Sequence, residues 1–157
     1  MSVLEIQKKK NSRGPVFVFK GSITDESQYD LELGIEDQKI TFILEEIHLI
    51  NSVGVQKWVK FMENLPPDVQ LTFEKVSLRI VNQVNIFANF LGGRKAKFTS
   101  FYAPYYCEKC DDSRVELIDV SELNLKTVII PPIKGCQVCQ SRLEFDAVPT
   151  KYFSFLK

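Results

Sequence analysis

KITFILEEIHLINSVGVQKWVKFMENL, residues 39–65, is the stretch whose reading decides the fold. Its first half is an apolar run over residues 40–50, richest at Phe42, Ile43 and Leu44, which reads as a buried central strand. Its second half changes period. Val55, Trp58, Val59, Met62 and Leu65 fall on one helical face and Gln56, Lys57, Lys60 and Glu63 on the other. Between the halves stands Asn51-Ser52-Val53-Gly54, a tight turn, and Pro66-Pro67 ends the helix because proline excludes the helical region for the residue before it. The unit is strand, turn, helix, with Ser52 presented at the turn.

Working outward toward the N-terminus, Val16-Phe17-Val18-Phe19 is apolar on both faces and reads as a second central strand, with Pro15 suited to a strand's beginning. Residues 3–9 read as an edge strand, and residues 29–38 have no decided state. Toward the C-terminus, residues 69–73 alternate as a strand. Ser77 is the expected N-cap of a helix carrying Ile80, Val84, Phe87 and Leu91 on one face, closed by Gly92-Gly93. Residues 98–102 give another strand. Strand, strand, helix, strand, helix, strand predicts an α/β sandwich with a mostly parallel sheet. From Pro104 the character changes to two short β-like runs, 115–120 and 127–130, and an aromatic tail, Tyr152-Phe153-Ser154-Phe155-Leu156. The expected organisation is a domain over 1–103 and a small C-terminal β extension over 104–157.

Twenty Lys and Arg balance twenty Asp and Glu in 157 residues, and neither half is strongly basic, so nucleic acid is not the expected partner. The N-terminal MSVLEIQKKKNSRG places apolar residues before charges, the wrong order for a signal peptide. No run approaches the roughly 18 apolar residues of a membrane-spanning helix. The expected location is the cytoplasm.

All four cysteines fall in two Cys-x-x-Cys pairs, Cys107/Cys110 and Cys136/Cys139. In a reducing compartment this pattern points to metal. Two such knuckles complete a tetrahedral Zn²⁺ site with no open position, hence one structural zinc ion and a zinc ribbon. An iron–sulfur cluster takes the same four ligands, and a redox Cys-x-x-Cys requires a helix N-terminus that this context lacks.

Ser52 lies where a strand's C-terminal end meets a helix N-terminus, the edge at which open α/β sheets bind ligands and where unpaired N–H groups favour a phosphate. The plain alternative is that Asn51 or Ser52 only caps the helix. The succession VFVFKGSI (16–23), ILEEIHLINSVGV (43–55) and LTF (71–73) ahead of the 77–91 helix resembles the STAS domain family. That family includes anti-sigma-factor antagonists and the cytoplasmic domains of sulphate transporters. In the family the turn reads Asp-Ser-Ser/Thr-Gly-Leu/Val, and the first Ser is phosphorylated by a partner kinase. By position Asn51 stands at the Asp, Ser52 at the phosphoacceptor, Val53 at the second hydroxyl residue and Gly54 at the glycine. The sequence departs from the pattern at Asn51, and the region before Ile40 is too short for the family's first helix.

The resemblance implies a STAS-like sandwich carrying a zinc ribbon, in a bacterial, non-enzymatic regulatory protein. Asn51, Ser52, Val53 and Gly54 would form the docking edge for a kinase-like or anti-sigma-like protein, with phosphate on Ser52 as the switch. The alternative is a constitutive scaffold that binds its partner without phosphorylation. No nucleophile–base–carboxylate set can be built around His48, the only histidine, and adjacent Glu45 and Glu46 do not make a working pair. Trp58 and Met62 read as core, and Arg94, Lys95 and Lys97 first as a solvated loop and second as a contact for an acidic partner. Tyr102, Tyr105, Tyr106 and the aromatic tail read either as packing for the ribbon or as an exposed patch.

Overall fold

The computed structural model describes residues 3–157, so the first two residues of the expected 1–103 domain lie outside it. Five strands form one sheet in the order β1 (Glu5–Asn11), β2 (Gly14–Ile23), β3 (Lys39–Ile50), β4 (Gln70–Glu74) and β5 (Ala96–Phe98). β1 and β2 make an antiparallel hairpin, and every other neighbouring pair is parallel. Helix α1 (Ser52–Asn64) connects β3 to β4, and α2 (Leu78–Ile86) connects β4 to β5. No helix among the described residues is long and apolar enough to cross a membrane.

The register of the parallel pairs explains the core. Phe17 pairs with Phe42, Phe42 with Phe73 and Phe73 with Phe98, so one phenylalanine from each of four adjacent strands lies in a row on the same face. Their ring centroids are 6.1, 5.8 and 5.3 Å apart along the row. α1 lays Trp58 across it, within 6.4 Å of Phe42 and 6.5 Å of Phe73, and the indole N–H donates to the Phe90 carbonyl at 3.0 Å. The four residues Val16 to Phe19 are all buried, as their unbroken apolar run predicts. Residues 28–36 form neither helix nor strand; Tyr29 stacks on Phe61 of α1 at 4.3 Å, covering the sheet with extended chain.

α2 is capped by Ser77 as expected but stops at Ile86 rather than at Leu91. The chain leaves the helix at Phe87 so that Phe90 reaches the indole of Trp58, stacking at 5.5 Å. A Cβ on Gly92 (φ +65°) would stand 2.8 Å from the Glu63 nitrogen, so the turn presses directly on α1. Arg94 is not in a solvated loop: its guanidinium donates to the carbonyl of Leu65 (2.6 Å), the C-cap residue of α1, and to that of Pro66 beyond it (3.2 Å).

A second, antiparallel sheet has the order β7 (Asp112–Asp119), β6 (Ser100–Cys107), β8 (Glu144–Phe145). It grows from the first: only Thr99 separates β5 from β6, and β6 bonds to Val76, two residues beyond β4, through Val76 N–H to Ser100 O (3.1 Å) and Tyr102 N–H to Val76 O (2.8 Å). The 103/104 position thus falls inside β6, and a single hydrophobic cluster runs across it. The run 127–130, read as β-like, is not a strand. Pro131-Pro132 follow it without donor groups, and of its apolar residues only Ile129 is buried.

The aromatic tail belongs to the core. It forms α3 (Pro149–Tyr152) and a 3-10 turn (Phe153–Leu156), burying Tyr152 and Phe153 and setting Phe155 5.0 Å from both Phe98 and Phe101. The Tyr152 hydroxyl donates to Tyr102 O, and Asn85 on α2 donates to Tyr152 O at 2.9 Å.

Candidate docking turn and metal centre

The turn at the end of β3 is built against the end of β2. Asn51 N–H donates to Ile23 O at 3.1 Å, and Asn51 Oδ1 accepts from Gly54 N–H at 2.7 Å. Asn51 is therefore the N-cap of α1. Gly54 sits where a Cβ would fall 2.1 Å from Ile23 O, so the close approach that this glycine allows is made by the chain's own backbone. Beside it the 22–27 loop is ordered by hydroxyls: Ser27 Oγ accepts from Thr24 N–H (2.8 Å) and donates to Ser22 O (3.1 Å). Replacing Asn51 with alanine is expected to lower stability by about 1 kcal/mol, read as a shifted urea midpoint at constant slope.

Ser52 is the first residue of α1 and is exposed; Val53 beside it is 49% exposed and Leu49 38%. The first turn of α1 carries no acidic side chain, so the positive end of its dipole has no charged partner on the helix. The structure thus brings Asn51, Ser52, Val53 and Gly54 into one turn with different duties: Asn51 and Gly54 hold it, and Ser52 and Val53 face outward.

Glu45 and Glu46 part toward the neighbouring strands. Glu45 accepts from the Tyr102 hydroxyl at 2.7 Å and lies 3.8 Å from Lys75, while Glu46 lies 3.5 Å from Lys20. Burial, then the Glu45 carboxylate, pushes the Tyr102 hydroxyl up to about 12. His48 is exposed on the rim of a depression of about 390 Å³ that Glu45, Ser77, Arg79 and Tyr102 also line.

The four cysteines converge. Cys107 ends β6 and Cys110 lies in the turn to β7; Cys136 and Cys139 lie in a small loop closed by the Gly135–Arg142 bridge. The two knuckles repeat one conformation, since the residue after the second cysteine has positive φ in each, Asp111 at +50° and Gln140 at +61°. All four sulfurs lie within 4.8 Å of one another, with Cys107–Cys139 at 3.5 Å and Cys110–Cys136 at 4.0 Å. A tetrahedron with metal–sulfur bonds of about 2.3 Å has an edge of about 3.8 Å, so this spacing fits a single ion.

Without a cation the four sulfurs do not ionise alike. Backbone N–H groups of Cys139 and Val138, helped by Arg114, hold the Cys136 thiol down at about 6, while the neighbouring sulfurs, Cys139 first, push Cys110 up to about 12. Four thiolates at this spacing repel one another unless a cation lies between them. Arg114, whose buried Nε has no oxygen or nitrogen partner, supplies positive charge at the edge of the cluster. The four cysteines could hold a metal ion. The sequence signal for Arg114 is slight: it alternates into the same face of β7 as the buried Ile118.

Comparison of the chain with protein-family models, curated proteins and solved structures finds no match.

Proposed function

We propose that this chain is a non-enzymatic regulatory module of the bacterial cytoplasm, STAS-like in its first sheet, that docks a protein partner through the turn at Ser52. The observation that carries the reading is an exposed serine at the first position of a helix, at the C-terminal end of a parallel strand, flanked by exposed Leu49 and Val53. The order hairpin, strand, helix, strand, helix, strand supports it too. The partner is kinase-like or anti-sigma-like. Phosphate on Ser52 adds roughly −1.5 to −2 charges beside an apolar contact and opposes docking by repulsion and desolvation. The metal is one zinc ion, structural because four thiolates leave no open coordination position.

The test has two parts. Mass spectrometry of the protein from its host should find phosphate on Ser52, and Ser52→Asp should weaken binding to the purified partner by about tenfold or more, with Ser52→Ala binding as wild type. Equal binding by all three forms sinks the switch.

A second reading, a constitutive scaffold, is favoured by the metal-bearing half. A groove of about 470 Å³ there is walled by exposed Ile130 and Ile133 and by Phe145 of β8. It requires that Ser52→Asp be silent while Ile130→Asp abolishes binding.

A further inference from the structure

Sheet edges are where β proteins join other chains, and they are normally blunted by charge, shortness or cover. Three of the four edges here are blunted. β1 carries Lys8, Lys9 and Lys10, β5 is three residues long, and β8 is two. The fourth, β7, runs for eight residues, and no backbone hydrogen bond outside its ladder with β6 involves them among the described residues. Side chains close its two ends. The Ser113 carbonyl accepts from Arg114 at 3.0 Å, and Asp119 N–H donates to Glu122 at 2.9 Å. The middle stays open. It carries Val115, 52% exposed, and Leu117, 38% exposed, on the same face of the sheet as Tyr102 and Pro104, their partners on β6.

The pattern DSRVELID is self-complementary. A twofold axis perpendicular to the sheet keeps the two copies' exposed faces on one side, so odd-numbered residues must oppose odd ones and even oppose even. Three central registers meet that condition. Centring on Arg114 sets arginine against arginine and Asp112 against Glu116. Centring on Glu116 sets glutamate against glutamate. Centring on Val115 sets Val115 against its own mate and Glu116 against Arg114, whose guanidinium already meets its own Asp112 at 2.7 Å, so this is the one of the three whose central pairs oppose no like charges.

We propose that two copies of this chain associate through β7, antiparallel and centred on Val115, joining their three-stranded sheets into one six-stranded sheet; Leu117 then opposes Ser113, whose exposed carbonyl leaves Arg114 to join the ladder. Val115 and Leu117 of each copy then form one apolar stripe on the shared face, and the Arg114–Glu116 pairs lie on the other. The inference is independent of the reading of Ser52.

The test uses the full, metal-loaded chain. Sedimentation velocity should show a monomer–dimer equilibrium in the micromolar range. Val115→Lys, which puts like charges on the axis, and Glu116→Lys, which opposes Arg114, should each weaken the dimer by about tenfold or more. Unchanged metal content and circular dichroism show that the variants fold. Under mild oxidation Val115→Cys should cross-link into a dimer, since directly opposed residues have Cα atoms about 4.5–5.5 Å apart, whereas Ser113→Cys should not. A monomer at every concentration, a dimer indifferent to both lysine variants, or cross-linking through position 113 in place of 115 overturns the proposal.

Discussion

Treating the protein with a chelator, or replacing Cys107 with serine, should unfold the half that carries the four cysteines while leaving the first sheet formed. Cys107 ends β6, and its three partners organise the turn into β7 and the 135–142 loop, which stand outside the phenylalanine row. Binding energy of roughly 10 kcal/mol or more then becomes folding energy for that half. Loss of the ion leaves four crowded thiols and Gln140 in a left-handed conformation that costs a non-glycine residue free energy. Elemental analysis of the purified protein should give one zinc equivalent per chain. With a chelator, hydrogen exchange should accelerate across residues 105–145 and stay slow across β2 and β3. Less than half an equivalent of zinc would count against the metal, and uniform protection with and without chelator against its structural role.

Trp58→Ala should cost about 3–5 kcal/mol from the lost side chain alone. Trp58 is fully buried and meets rings from three strands of the first sheet, Phe19, Phe42 and Phe73, as well as Phe90. The substitution also leaves the Phe90 carbonyl without the indole donor, a further cost of about 1–3 kcal/mol if that group stays buried. Against a typical domain stability of about 5–15 kcal/mol, the variant should be largely unfolded at physiological temperature. Trp58→Phe separates the two contributions, keeping a ring over the row while losing the donor. Denaturation followed by circular dichroism measures both, since the only tryptophan is removed in each. A loss below about 1 kcal/mol for Trp58→Ala would contradict the packing described.

Local signals were legible in the sequence wherever the chain decides its structure locally. The period change at Asn51, the prolines after Leu65 and the capping of α2 by Ser77 each depend on a few neighbouring residues, and each stands where expected. The cysteine spacing announced four converging sulfurs for the same reason, because each knuckle is a local turn. Features set by distant partners were hidden. α2 ends early because Phe90 is drawn to Trp58, 32 residues away, and Arg94 is drawn to the end of α1. The phenylalanine row needs the strand register, which no single window contains. Whether Tyr152 and Phe153 pack inside or lie on the surface was equally open until their neighbours on β6 and α2 were known.

The first sheet places its strands in the order in which the chain makes them, each beside its predecessor. No strand waits for one that comes later. Closing short loops before long ones is entropically cheap, so the sheet is expected to grow by successive addition from the β1–β2 hairpin, each step offering a finished edge to the next. The tail is different. Its bond from Asn85 to Tyr152 spans 67 residues, so the seam between the two sheets is expected to close last in folding and open first in unfolding.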